Sequence, residues 1–355
     1  MQVTCYKRRQ YGEKPAVVLK SETFITVFCC DKSLFYLISK EKEGIKRMEV
    51  LLQLLLLAIG FVMLVRGADW FVDGAAGIAS KLKIPQLVIG LTIVAMGTSA
   101  PEAAVSITAA LKGSGDITIG NIVGSNILNI LIILGLSAIV TPLAVAKSTI
   151  KIDIPVVIAI TAILLWMGYD GTVTLIEGIL LLVIFALYIG YLMYGAFKER
   201  NENDEDVKNI SIVRACVLTV IGLGFIIWGS DIAVDAATSL ATIFGLSERF
   251  IGLTIVALGT SLPELFTSVM AAKKGNADIA IGNIVGSNIF NILFVVGLSA
   301  MVIPVPFAAG FRFDTIVSGL AAVLLLACVL KDKKLNRWSG ALMLVSYAVY
   351  FAVIL

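Results

Sequence analysis

The chain has 355 residues, 59% of them hydrophobic and only 15% charged, with a formal net charge of +3. Water-soluble domains are nearer half apolar and a quarter charged, so this composition excludes a soluble enzyme and specifies a membrane protein. No histidine is present, which removes the usual neutral-pH general base and the commonest ligand for zinc, copper and nickel.

A membrane-crossing helix needs about 20 mainly apolar residues. In chain order the sequence predicts ten: 50–65, 85–111, 119–141, 152–168, 174–197, 212–230, 249–272, 281–303, 313–330 and 337–355. The expected fold class is therefore all-α and polytopic. Residues 48–197 form a first five-helix unit, 198–211 a solvated linker (KERNENDEDVKNIS for Lys198–Ser211) and 212–355 a second five-helix unit. Cytoplasmic loops retain Lys and Arg. From Met48 onward, 15 Lys and Arg fall on one side of this arrangement and only Lys112, Arg249 and Arg312 on the other. That asymmetry makes the central linker cytoplasmic, in a plasma (inner) membrane.

Residues 1–47 carry 10 Lys and Arg on what would be the outer side. They read as a non-native or disordered extension, with translation starting at Met48. Thr23–Ser39 is short for a span and is interrupted by Asp31 and Lys32. Cys5, Cys29, Cys30, Cys216 and Cys328 show no CxxC spacing. Cys216 and Cys328 lie in apolar stretches and are expected to be buried packing residues.

Gly90–Pro142 realigns on Gly252–Pro304 without a gap at an offset of 162, with 36 of 53 positions identical. Equivalent spans are five apart, an odd number, so the two copies are expected to cross the bilayer in opposite directions. Inverted repeats of this kind place ion sites near the midplane, where broken helices of both halves meet.

Each copy carries G-T-S-x-P-E inside an apolar span: Gly97, Thr98, Ser99, Pro101, Glu102 and Gly259, Thr260, Ser261, Pro263, Glu264. A carboxylate at membrane depth costs about 3 kcal/mol or more and is normally paired, facing a cavity or part of an ion path. Proline frees the carbonyl four residues earlier, here Gly97 and Gly259. Thr98, Glu102 and Ser106 share one helix face, as do Thr260, Glu264 and Ser268. Asn121, Ser125 and Asn129 repeat the spacing in the next span, matched by Asn283, Ser287 and Asn291. Gly120 with Gly124, and Gly282 with Gly286, have the small-xxx-small spacing that admits close helix approach. Such oxygen-rich stripes suit a hard cation such as Ca²⁺ or Na⁺, and competition for two glutamates would make transport an exchange.

Other polar residues have blander readings. Ser106 and Ser268 can bond to backbone, and Asn121, Asn126, Asn283 and Asn288 can join helices. Asp69, Asp73, Asp231 and Asp235 read as capping or surface charges near helix ends. The acidic run Glu199–Asp206 lacks the glycine spacing of a calcium loop and reads as linker.

The paired GTSxPE and GNIVGSNIxNI segments closely resemble the alpha repeats of the cation/Ca²⁺ exchanger superfamily, especially prokaryotic-type Na⁺/Ca²⁺ exchangers. The resemblance spans about Leu51 to Leu355. It implies two inverted five-helix units with alternating access by sliding of the first and sixth helices. It also implies a central Ca²⁺ site at Glu102 and Glu264, aided by Thr98 and Thr260. Flanking Na⁺ sites would use Ser99, Ser125 and the Ala95 carbonyl in one half, and Ser261, Ser287 and the Ala257 carbonyl in the other. Asn129 and Asn291 would line the centre; some relatives carry Asp at one of them. The implied activity is Na⁺/Ca²⁺ antiport, with Ca²⁺/H⁺ antiport through the same glutamates as the alternative. A passive channel matches an inverted repeat poorly, and no nucleophile–base pair or nucleotide loop suggests an enzyme. No cofactor, nucleic acid or obligate protein partner is expected; the partners are the bilayer and the transported ions.

Overall fold

The computed structural model describes residues 2–6, 16–21, 24–29, 32–113, 115–199, 211–245 and 257–354. The chain divides into two compact units, Met1–Leu55 and Leu56–Leu355. In the first, β1 (Gln2–Tyr6), β2 (Ala16–Ser21) and β3 (Phe24–Cys29) form an antiparallel sheet in that order, with Val18 opposite both Thr4 and Val27. Helix α1 (Lys32–Leu82) starts in this unit.

The second unit is helical. Among the described residues eight helices are long and apolar enough to cross a membrane, or nine if one bent pair counts as a span. In order they are the Met48–Leu82 part of α1; the bent pair α2 (Gln86–Thr98) and α3 (Ala100–Leu111); α4 (Ile117–Val140); α5 (Thr149–Asp170); α6 (Leu175–Lys198); and α7 (Ile212–Ile243). After the short α8 (Ala257–Thr260) and α9 (Leu262–Lys273) come α10 (Ala277–Val302), α11 (Ala309–Leu330) and α12 (Arg337–Ile354). Of the predicted span 249–272, the part before Ala257 lies outside the described residues. So does most of the linker.

Two predicted spans are too short. The first, expected to end at 65, continues to Leu82, and the sixth, expected to end at 230, continues to Ile243. Charges were read as ends, but no proline interrupts either stretch and a helix carries isolated acids where they face a partner or water. Asp69 and Asp73, and likewise Asp231 and Asp235, therefore sit inside helices and not near their ends.

α1 and α7 touch along a row of glycines. A Cβ on Gly60 would lie 2.8 Å from the Gly229 carbonyl oxygen, and one on Gly67 2.8 Å from that of Gly222. One on Gly74 would meet the Thr219 hydroxyl. The seven-residue spacing keeps these positions on one face, so the backbones are in contact and the two helices are locked together.

The middle of the unit is built from the repeated third spans. In its most apolar window α10 is 94% buried and α4 78%, against 11% for α1 and α12. The exposed apolar side chains of α1, such as Leu55 and Val62, form a surface suited to lipid. Cys216 is also exposed and Cys328 half-buried; both are free. Apolar neighbours in sequence did not mean burial for Cys216, because a membrane helix is apolar on its lipid face as well. Two short strand pairs, β4 (Leu143–Ala144) with β7 (Lys334–Leu335) and β5 (Thr172–Val173) with β6 (Val305–Pro306), tie connections of one half to the other.

Candidate functional site: a paired-glutamate centre

The site begins at two helix breaks. At Ser99 the chain leaves helical geometry (φ −81°, ψ 7°) and at Ser261 it does the same (φ −91°, ψ 3°), each two residues before a proline. The first break bends α2 against α3 by 50°. Proline removes an N–H from the ladder, and at the second break the carbonyl so freed, Gly259, accepts a hydrogen bond from Ser230 of α7 at 2.8 Å. The position equivalent to Ser230 in the first copy is Ala68, so that contact is not duplicated.

Past each break comes the glutamate, and both are buried (Glu102 1%, Glu264 0% exposed). Each is held by a serine of the opposite copy. The Ser99 hydroxyl donates to Glu264 Oε1 at 2.7 Å, and the Ser261 hydroxyl to Glu102 Oε1 at 3.4 Å. The second oxygen of each carboxyl, Oε2, is buried without a hydrogen-bond partner. Among the described residues no Lys or Arg pairs with either acid. Burying two carboxylates in this way is costly unless a cation supplies the missing charge.

Four asparagines close the centre. Asn129 Nδ2 donates to Asn288 Oδ1 at 2.9 Å, and Asn291 Nδ2 to Asn126 Oδ1 at 3.1 Å. Asn126 and Asn288 in turn donate to each other's backbone carbonyls at 3.3 and 3.2 Å. The Oδ1 atoms of Asn129 and Asn291 are buried with no partner. Both start π-helical turns, Asn129–Leu134 and Asn291–Val296, a local widening often found at functional positions. Thr260 Oγ1 is likewise unpartnered. The unsatisfied atoms are all oxygens, the donor set of a hard cation. Among the described residues no cluster of three His, Cys, Asp or Glu exists, so any ion here rests on neutral oxygens besides the two acids.

Comparison with known proteins decides the family. A sequence model described as Sodium/calcium exchanger protein matches residues 52–194 and again 214–355. The chain belongs to the sodium/calcium exchanger family. Among relatives of this exchanger chain, the sodium/calcium exchanger MaX1 of Methanosarcina acetivorans is 31% identical, with 84% of this chain and 97% of that protein covered. The inner membrane protein YrbG of Escherichia coli is 33% identical over 86% of this chain and 97% of its own. A solved structure of the sodium-calcium exchanger NCX_Mj superposes with a TM-score of 0.77 at 34% identity, covering 86% of this chain and all of that one.

The remaining predicted residues fall as follows. Thr98 is buried, with its single hydroxyl donor within range of Asn283 Oδ1 at 3.0 Å and of the carbonyls of Val94 and Ala95 at 3.2 and 3.3 Å. Ser287 donates to the Ala95 carbonyl at 3.4 Å. Ser99, Ser261, Ser287 and the Ala95 carbonyl thus meet partners from the opposite half. Ser125 is buried on α4, one turn before Asn129. Ala257 opens α8, the first described turn of its segment. The bland reading holds for Asn121 and Asn283, which donate to the hydroxyls of Ser106 and Ser268 at 3.0 and 2.9 Å.

A Cβ on Gly282 would lie 3.0 Å from Gly90 Cα, and one on Gly286 2.6 Å from the Leu91 carbonyl oxygen, so α10 and α2 are in backbone contact. Among the described residues Gly120 meets the Phe311 ring; Gly252 and Leu253, the repeat counterparts of Gly90 and Leu91, lie outside them. Sequence reasoning missed Ser230, whose partner is a backbone atom, and the Gly60, Gly67, Gly74 row, which was legible as a seven-residue spacing.

Proposed function

We propose that the chain is a secondary antiporter that moves Ca²⁺ outward against Na⁺ entering down its gradient. One Ca²⁺ binds between Glu102 and Glu264, with Thr98 and Thr260 beside it and Asn129 and Asn291 lining the centre. Na⁺ binds at the flanks through Ser99, Ser125, Ser261, Ser287 and the carbonyls of Ala95 and Ala257. Because both ions need the same carboxylates, one must leave before the other enters. Access alternates as α1 and α7 slide together over a core of two inverted five-helix repeats, in all ten spans of the plasma membrane. The 198–211 linker is cytoplasmic.

The observation that carries this reading is the pair of buried glutamates, each bound by the opposite copy's serine and each keeping one unpartnered oxygen. Charge balance fits: two carboxylates neutralise one Ca²⁺ or two Na⁺. The test is Ca²⁺ flux in proteoliposomes under imposed gradients. Flux driven by a Na⁺ gradient at equal pH is the expected result; flux driven by a pH gradient with no response to Na⁺ would instead make it a Ca²⁺/H⁺ antiporter.

A further inference from the structure

We propose that this protein carries two reciprocal ionic latches, one at each end of its ion path, of which one is closed in this structure and the other closes in the opposite-facing state. The closed latch is Lys274 with Asp69 and Asp73; the open one is Lys112 with Asp231 and Asp235. The inference rests on the alternating-access reading above.

The closed latch is fully formed. Lys274 Nζ lies 2.7 Å from Asp69 Oδ1 and 2.9 Å from Asp73 Oδ1, and also donates to the Asp69 carbonyl at 2.7 Å. The two acids are one turn apart on α1, so they present a single two-pronged face. Lys274 directly follows α9, the helix that carries Glu264. The contact therefore joins a helix of the sliding pair to the end of a helix of the ion site.

Subtracting the repeat offset of 162 from Lys274 gives Lys112, and adding it to Asp69 and Asp73 gives Asp231 and Asp235. All three residue types are kept, and Lys112 follows α3, the helix of Glu102, as Lys274 follows α9. Among the described residues, however, Lys112, Asp231 and Asp235 make no ion pair. Among the described residues the duplicated set of charges is used once.

The surroundings differ in the same sense. Val105, Thr108, Lys112 and Ile117 line an open groove of about 460 Å³. Val105 and Ile117 are 42% and 49% exposed, while their repeat equivalents Thr267 and Ile279 are both fully buried. Phe266, close to that covered face, packs its ring against Phe61 of α1 at 6.0 Å. α1 is thus seated over the second copy. The seat on the first copy is open, and its occupant by repeat symmetry is α7. Since α1 and α7 are locked together through their glycines, a shift that seats α7 must unseat α1. Each latch has two acids to one lysine and is partly exposed, so each stabilises its state only modestly. That suits two states that must interconvert.

The test uses the full chain with Cys5, Cys29, Cys30, Cys216 and Cys328 changed to serine, reconstituted in proteoliposomes. Into it go either Asp73→Cys with Lys274→Cys or Asp235→Cys with Lys112→Cys. The expected result is that a short bifunctional thiol reagent links both pairs, that each link arrests Ca²⁺ counterflow, and that reductant restores it. If the Asp235/Lys112 pair stays unlinked under every ion gradient while counterflow proceeds, the second latch is refuted and the transport reading stands. If the cysteine-free parent shows no counterflow although wild type does, the same comparison is made with Lys274→Gln and Lys112→Gln in wild type. If wild type shows none, the transport reading falls and the latches fall with it. The two glutamine variants are expected to shift the apparent Ca²⁺ affinity measured from one face by about two- to fivefold in opposite directions. The charge exchange Lys112→Asp with Asp235→Lys should restore the balance. Shifts in the same direction, or none, would overturn the proposal.

Discussion

The two GTSxPE copies are nearly the same sequence, yet their surroundings differ. Around Glu264 the contacts are tight: Ser99 reaches it at 2.7 Å, and Ser287 meets the Ala95 carbonyl. Around Glu102 the serine contact is longer, at 3.4 Å, Asn121 is only half-buried where Asn283 is buried, and the groove beside α3 is open. Duplication supplies matched side chains; their cover differs, as Val105 and Ile117 are exposed where Thr267 and Ile279 are buried. A protein whose halves were meant to stay equivalent would have no reason to cover one and expose the other.

The comparison can be broken first at the acids, which are the features the two copies share. Glu102→Gln and Glu264→Gln should each reduce Na⁺-driven Ca²⁺ flux to the level of empty liposomes, while size-exclusion profiles and helical circular dichroism stay those of wild type. Wild-type flux in either variant would remove that acid from the site. A second break targets the joint between α1 and α7. Gly67→Leu places a large side chain where a Cβ already has 2.8 Å, and overpacking of this kind costs about 1–3 kcal/mol; a lowered Tm with strongly reduced flux is expected, and unchanged values of both would mean that α1 and α7 are not locked there.

The difference between the copies is sharpened at the serines. Ser99→Ala removes the shorter hydrogen bond to a carboxylate and should cut flux about tenfold, whereas Ser261→Ala should cut it about twofold, since bonds to charged groups weaken steeply with length and alignment. Equal losses, read as initial rates at one Na⁺ gradient, would show that the asymmetry does not reach the ions. The smallest effect is expected at the asparagine lattice. Asn126→Ala and Asn288→Ala each remove one side of a reciprocal contact and should lower stability by about 1 kcal/mol apiece, seen as a modest fall in Tm.

Much of this was legible in the sequence because duplication prints each functional residue twice. The spans, the paired acids and the stripes at Thr98, Glu102 and Asn129 follow from hydropathy and helical periodicity alone. The lengths of α1 and α7 were not legible. Arg66, Asp69 and Asp73 look like the end of a span, and only the partner Lys274, 205 positions away from Asp69, explains how the acids are held inside a helix. Cross-copy pairing was hidden for a related reason: periodicity tells which residues share a face but not which face lies opposite, so the hydrogen bond from Ser99 to Glu264 is not legible in it. Asn126 and Asn288 could be read as joining helices, but their reciprocity appears only when both copies are folded together.

The most direct measurement is equilibrium binding of ⁴⁵Ca²⁺ to the purified chain in detergent. One Ca²⁺ per chain is expected, displaced by Na⁺ and lost in both Glu102→Gln and Glu264→Gln. Retention of full Ca²⁺ binding in either variant would contradict the shared site.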